Sequence, residues 1–206
     1  MCVLFLISLL GTVAVLPLHF WSLEHGKLEE RYGEQRGKRI GAALGIISGW
    51  GYFIFLFGLW VSPQTRFTIP FYENLGFKIP LTNHFVPIFS ALISLPFILP
   101  AIWFGVKGVR ELGLETSETH RAHAIATSGV YSVVRHPQYL GGMLAHVGFS
   151  ILLSGLYSIL VTPVIMTRDF AACRKEETEL IREFGSKYED YRKKVPMLLP
   201  RSHAKE

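Results

Sequence analysis

Residues 129–141 read GVYSVVRHPQYLG, and an apolar run follows them directly. The segment places an Arg-His pair, a proline and two tyrosines at the mouth of an apolar helix. Pro137 suits the first position of a helix, and the N-terminus of a helix favours an anionic ligand group. Ionisable side chains at membrane depth are costly and indicate function by default. The segment therefore predicts a ligand site in a membrane protein, with a basic membrane-edge loop as the alternative.

The composition places the chain in the membrane class. Of its 206 residues, 50% are hydrophobic, and several apolar runs are long enough to span a bilayer. The net charge of +5 does not indicate nucleic-acid binding, because the charges flank the apolar runs and set topology there. No metal site is expected, since no Cys or carboxylate completes the set of His120, His123 and His136 at ligand spacing.

The apolar runs predict an all-α integral membrane protein with about five transmembrane helices in a single membrane domain, residues 1–206. The first run lacks a basic start and a cleavage site, so it is interpreted as a retained helix. The last two spans form a short helical hairpin joined at Gly155, and 16 residues reach only about 24 Å. The predicted spans are about residues 2–22, Ile40–Val61, Phe85–Val109, Tyr139–Ser154 and Leu156–Phe170.

The distribution of Lys and Arg predicts the topology. The loops after the first and third spans and the tail are rich in these residues, whereas the loop of residues 62–84 holds only Arg66 and Lys78. The positive-inside rule then places the N-terminus outside and the C-terminus in the cytoplasm. Beyond Glu176, apolar side chains recur at helical spacing. This pattern predicts a cytoplasmic amphipathic helix that lies on the membrane or folds back over the site.

A second polar cluster, Glu176-Glu177, follows the last span. Each cluster lies at the open end of one arm of the same helical hairpin, so we expect the two clusters to lie close together. Adjacent residues of a helix point about 100° apart, so at most one carboxylate faces a given ligand. The alternative is a solvated helix start.

Other features of the spans are open to two interpretations. Five glycines spaced by four on the second helix predict close helix packing, with a cofactor groove as the alternative; they are Gly33, Gly37, Gly41, Gly45 and Gly49. Pro96 and Pro100 predict a kink in the third helix. His146 lies in the middle of the fourth helix, either as a buried, hydrogen-bonded residue or as a proton acceptor.

These motifs together resemble a known family. TSGVY at 127–131, RHPQYLG at 135–141, Glu176-Glu177 and FGSKY at 184–188 are similar to the integral-membrane isoprenylcysteine carboxyl methyltransferase and phospholipid methyltransferase group. The resemblance covers about residues 115–201. It implies methyl transfer from S-adenosyl-L-methionine, at the cytoplasmic membrane face, to a lipid-like or amphipathic carboxylate, amine or thiol.

The resemblance also implies a set of cofactor-binding residues in the segment 111–201, which holds the loop, the hairpin and the C-terminal helix. The positions that match the family's cofactor contacts are His123, Ala124, Ile125, Ala126, Tyr131, His136, Pro137, Gln138, Tyr139 and Glu176. Arg135 joins them, because an Arg- and His-lined helix start suits the methionine carboxylate.

The chain departs from the isoprenylcysteine enzymes at one position. They carry an arginine, one turn before the first glutamate, that is thought to bind the substrate carboxylate, and this chain has Ala172 there. Arg168 or Arg174 is the candidate replacement. Glu177 is the candidate proton acceptor for an amine substrate.

The sequence leaves two alternative functions open. Arg168-Asp169, Cys173, Lys175 and the ending Tyr191–Pro196 are similar to membrane sterol reductases, which use NADPH. The third hypothesis is a non-catalytic membrane scaffold. Soluble nucleotide-binding folds are not supported, because the sequence has no phosphate loop and no clear dinucleotide fingerprint.

Overall fold

The computed structural model describes residues 2–68, 75–80, 84–119 and 124–200. The chain is mainly helical, with a 3-10 turn at Gly129–Ser132 and two short antiparallel strands, β1 (Gly76–Lys78) and β2 (Phe85–Pro87), that pair Phe77 with Val86. The helices are α1 (Val3–Ala14), α2 (Leu16–Leu23), α3 (His25–Tyr32), α4 (Glu34–Val61), α5 (Ile88–Leu112), α6 (Leu114–Thr119), α7 (Pro137–Leu152), α8 (Leu156–Leu160), α9 (Thr162–Phe184) and α10 (Ser186–Lys194).

Three helical stretches in the described residues are long and apolar enough to cross a membrane: Val3–Leu23, Glu34–Val61 and Ile88–Leu112. They correspond to the first three predicted spans, with shifted starts. The second begins six residues before the predicted Ile40, because Gly33, with a φ of 80°, sets the helix start. The third begins at Ile88, since Phe85–Pro87 pairs as β2 instead of entering the helix.

The hairpin turns where it was predicted, but its second arm is longer. Leu153–Gly155 separates α7 from α8, and α9 then continues to Phe184, so the predicted helix end at Phe170 is wrong. The residues after Phe170 include many good helix formers, and the helix ends at Gly185, whose φ of 58° is readily adopted only by glycine. Glu176 and Glu177 therefore lie inside a helix and not at the start of a new one.

The hairpin packs closely on the third stretch through α5 and α7. A Cβ atom at Gly141 would lie 2.8 Å from the backbone nitrogen of Gly105 and 3.0 Å from the carbonyl oxygen of Ala101. Two helices approach this closely only where neither carries a side chain at the contact. Gly141 therefore sets the position of α7, and with it the position of the helix start that carries the Arg-His pair.

Substitution of Gly141 with alanine is expected to lower the free energy of unfolding by about 1–3 kcal/mol, because the added methyl group would overpack a backbone contact. Gly142 is a matched control, since a Cβ atom there would meet nothing within 4 Å. Its replacement with alanine is expected to be neutral or stabilising by up to about 1 kcal/mol. Thermal unfolding in detergent measures both variants, and equal effects would contradict this packing account.

The glycines spaced by four in and just before α4 have different surroundings. A Cβ atom at Gly37 would lie 2.6 Å from the backbone of Glu29, and one at Gly45 would lie 2.6 Å from the carbonyl oxygen of Glu118. The predicted close packing is confirmed at these positions. Gly33 precedes the helix, and Gly49 lines a cavity.

Candidate functional site

A cavity lies where α7 begins, between α4, α9 and α10. It encloses about 1120 Å³ of atom-free space, its open mouth included. Most of the predicted site residues line it, namely Ala124, Ile125, Ala126, Tyr131, Arg135, His136, Pro137, Gln138, Tyr139, Arg168 and Glu176. His123 lies outside the described residues.

The two polar clusters meet at this cavity. The His136 ring lies between both glutamates, with Nε2 3.3 Å from Oε1 of Glu177 and Nδ1 3.7 Å from Oε2 of Glu176. The sequence-based expectation that the hairpin arms bring these groups together is therefore confirmed.

Arg135 and Glu177 form an internal ion pair. The Nε and Nη2 atoms of Arg135 lie 2.6 and 2.5 Å from Oε1 of Glu177, and both side chains are more than 90% buried. The Nη1 group donates to the carbonyl oxygens of Arg192 and Val195. This pair joins α7, α9 and the C-terminal segment, so it holds the cavity wall together.

The ionisation of Glu177 follows from these contacts. Burial alone would raise the pKa of its carboxyl group, but hydrogen bonds with His136 and Arg135 outweigh burial and hold that pKa below its usual value of 4.5. Glu177 is therefore a carboxylate at neutral pH. Because its oxygen is shared by two partners, it is placed to anchor the wall.

This lowered pKa predicts how stability depends on pH. Since the unfolded-state pKa is higher, ionised Glu177 stabilises the fold above about pH 4.5, and the stabilisation is lost as pH falls through the folded-state pKa. The difference in melting temperature between wild type and Glu177→Gln is expected to be largest at pH 7 and to shrink below pH 4.5. Exposed Glu189→Gln is the control, and a difference that stays constant down to pH 3 would refute the assignment.

Glu176 lines the cavity and makes different contacts from Glu177. Its Oε2 atom is shielded from solvent and accepts no hydrogen bond from any described residue. The hydroxyl group of Tyr188, which also lines the cavity, is likewise buried without a partner in the described chain. Buried polar atoms are nearly always paired, so these two atoms are placed to receive a ligand.

Hydrogen bonds fix the aromatic wall that faces Glu176. The side-chain amide of Gln138 donates to Oη of Tyr131 at 3.1 Å and to Oγ of Ser117 at 2.9 Å. The hydroxyl group of Tyr191 donates to the carbonyl oxygen of Tyr131 at 2.6 Å. Burial raises the pKa of the Tyr131 phenol, so this phenol stays neutral.

A second polar group lines the cavity on α9. Arg168 is 7% exposed and donates through Nη1 to Oδ1 of Asp169 at 2.7 Å, and Tyr52 donates to Oδ2 at 3.0 Å. The guanidinium carbon of Arg168 lies 3.7 Å from the centre of the Tyr52 ring. Arg174 is exposed and does not line the cavity, because residues two apart on a helix, such as Arg174 and Glu176, point about 200° apart.

Several cavity residues were not among the predicted site residues, and they include the polar residues His19, Tyr52 and Asp169. His19 lies in the first apolar stretch, and its Nε2 atom lies 2.8 Å from Oη of Tyr139. The available signal was an ionisable residue inside a predicted span. Tyr52 is separated by 117 residues of sequence from its partner Asp169, and His19 by 120 residues from Tyr139. No local motif spans such a separation.

A comparison with known protein families covers most of the residues that line the cavity. Residues 89–187 match the phospholipid methyltransferase family. The resemblance to membrane methyltransferases is confirmed. The matched region includes both polar clusters, from Arg135-His136 to Glu176-Glu177, whereas His19 and Tyr52 precede it.

Individual relatives carry methyltransferase names. The chain is 36% identical over 85 residues to the protein-S-isoprenylcysteine O-methyltransferase of Schizosaccharomyces pombe. These aligned residues make up 41% of this chain and 36% of that protein. It is 41% identical over 105 residues to methanethiol S-methyltransferase 2 of Bradyrhizobium diazoefficiens, and the aligned residues make up 50% of this chain and 39% of that protein. The human isoprenylcysteine enzyme is 34% identical over 85 residues, 41% of this chain and 30% of that protein.

These matches have a limited extent. The chain spans less than half the length of each of these curated relatives. No solved structure matches the chain.

Proposed function

We propose that this chain transfers a methyl group from S-adenosyl-L-methionine to a lipid-like or amphipathic acceptor at the cytoplasmic face of a membrane. The observation that carries the proposal is the solvent-shielded Oε2 atom of Glu176, which accepts no hydrogen bond from the described residues and belongs to a side chain that lines a cavity with aromatic walls. The donor set fits this cofactor, which combines a cationic amino group, ribose hydroxyls, a carboxylate and an aromatic base.

Specific residues would hold each part of the cofactor. Glu176 would accept from the amino group or a ribose hydroxyl, a charge-assisted contact. The start of α7, with His136 as its N-cap, would favour the methionine carboxylate. Tyr131, Tyr139 and Ile125 offer apolar and aromatic walls for adenine and for the sulfonium.

S-adenosyl-L-methionine supplies an activated methyl group, so the chain's own residues have to orient the reactants and exclude water. The C-terminal segment serves this purpose. Its backbone carbonyls at Pro196 and Met197 accept from the backbone N–H groups of Arg135 and His136, at 2.9 and 3.1 Å. Tyr188 and Tyr191 of α10 cover the cavity from the same segment.

The acceptor contacts would come from the second polar group. Arg168 is the candidate that lines the cavity, and its buried Nε atom has no partner within the described chain. The names of the relatives include both an O-methyltransferase and an S-methyltransferase, so oxygen and sulfur acceptors are both considered. The relatives give no support to an NADPH-dependent reductase or to a non-catalytic scaffold.

The membrane arrangement that we propose keeps the five predicted spans. The three long apolar stretches would be joined by α7 and by α8 with the first part of α9, a hairpin that barely spans the bilayer. Positively charged loops then place the N-terminus outside and the cavity, with the C-terminus, in the cytoplasm.

A transfer assay tests the proposed function. Purified protein in lipid nanodiscs is incubated with methyl-labelled S-adenosyl-L-methionine and amphipathic acceptors that carry a carboxylate, a thiol or an amine. Label in one of these products above that from heat-inactivated protein is the expected result. Absence of label from a folded protein that also fails to bind the cofactor would contradict the proposal.

A further inference from the structure

His19 and Tyr139 form a hydrogen-bonded pair in the cavity wall, and His19 has no part in the function proposed above. Nε2 of His19 lies 2.8 Å from Oη of Tyr139, and the two rings meet edge to face. His19 is 3% exposed within the stretch Val3–Leu23. An ionisable ring at that depth is costly, and helix packing alone does not need one.

Several titratable and charged groups surround this pair. The titratable and charged groups among the described residues that line the same cavity or interact with Tyr139 are Tyr52, Tyr131, Arg135, His136, Arg168, Asp169, Cys173, Glu176, Tyr188 and Tyr191. Arg168 and Asp169 compensate each other at 2.7 Å, and Glu176 is a further acidic side chain that lines this cavity.

We propose, building on the function proposed above, that Tyr139 and His19 form a proton relay for a thiol acceptor. A carboxylate acceptor is already ionised at neutral pH and needs no relay. A thiol releases its proton near pH 8.5, about 2 pH units above the histidine value, whereas an ammonium group does so about 4 units above it. The relay therefore fits a thiol better than an amine.

Methylation of the thiol moves one methyl group and one proton. The acceptor sulfur forms a bond to the methyl carbon while the bond from that carbon to the sulfonium breaks, and its electron pair stays on the departing thioether. The thiol proton passes to Oη of Tyr139 as the Tyr139 hydroxyl proton passes to Nε2 of His19. The imidazolium then returns its proton to water. Tyr139 is the catalytic residue of this step, and His19, which acts through it, is a positioning residue.

Matched acceptors in nanodiscs test the relay: 1-dodecanethiol, dodecylamine and dodecanoate, each with methyl-labelled S-adenosyl-L-methionine. Wild type is expected to methylate the thiol, with kcat/KM falling as pH is lowered from 8 to 5. His19→Gln, which keeps a hydrogen-bonding group beside Tyr139, should lower kcat for the thiol about 100-fold or more and flatten this acid limb. Tyr139→Phe should do the same.

Binding of S-adenosyl-L-methionine distinguishes a failure of the relay from a failure of the proposed function. The affinity of His19→Gln for S-adenosyl-L-methionine is expected to stay within about threefold of wild type, which shows that the variant is folded. An unchanged acid limb in this variant, or methylation of dodecanoate or dodecylamine without the thiol, would overturn the relay and leave the proposed function standing. Turnover of none of the three probes by a cofactor-binding wild type would also overturn it. Loss of cofactor binding by wild type would instead reject the proposed function.

Discussion

Replacement of Arg135 with alanine is expected to lower the free energy of unfolding by about 3–5 kcal/mol, because it leaves a buried carboxylate without its partner. The Arg135 guanidinium contacts Glu177 through two nitrogens and two carbonyl oxygens near the C-terminus. The variant should also release the C-terminal segment from α7. Thermal unfolding in detergent measures the first effect, and protection of Val195–Met197 from hydrogen exchange measures the second.

Two further variants separate charge from geometry. Arg135→Lys keeps the charge but loses the planar fork, so it should recover only part of the stability. Exposed Lys194→Ala is the control, with an expected change within about 0.5 kcal/mol. If Arg135→Ala were as stable as this control, the ion pair would not hold the cavity wall together.

Replacement of Glu176 with glutamine is expected to weaken the binding of S-adenosyl-L-methionine by about 10- to 150-fold. The variant keeps the size and one acceptor oxygen but loses the charge, and a hydrogen bond to a charged group contributes about 1.5–3 kcal/mol. Stability should change little, because Oε2 accepts no hydrogen bond from the described residues. The dose-dependent thermal stabilisation of each variant by S-adenosylhomocysteine measures this effect.

Glu183→Gln is the matched control for this experiment, since Glu183 lies on the same helix but is exposed and does not line the cavity. Its cofactor affinity should equal that of wild type. Equal affinity in Glu176→Gln and Glu183→Gln would remove Glu176 from the cofactor site.

Local motifs were sufficient to predict much of the site. Pro137 marks the helix start in the sequence, and the start of α7 is observed there. Because the hairpin returns the chain to the same end, Glu176 and Glu177 meet His136 as expected. The approximate 100° between adjacent helical residues also predicts that only one carboxylate faces a ligand, and the structure places Glu176 at the cavity and Glu177 on Arg135.

Other features depend on contacts that a local pattern does not contain. Glu177 was predicted as a candidate proton acceptor for an amine, and its contact with Arg135, 42 residues away, is one that no local motif contains. The end of the fifth span was placed at Phe170 because hydropathy falls there, whereas a helix ends only where its backbone is interrupted, here at Gly185. His19 and Tyr52 enter the site through the packing of α2 and α4 against the hairpin, which periodicity does not predict.

The most direct test of the central claim is a calorimetric titration of the purified wild-type protein with S-adenosyl-L-methionine, beside a titration with NADPH. We predict saturable binding of S-adenosyl-L-methionine at one site per chain and none of NADPH. A folded protein that binds NADPH, or neither compound, would contradict the account.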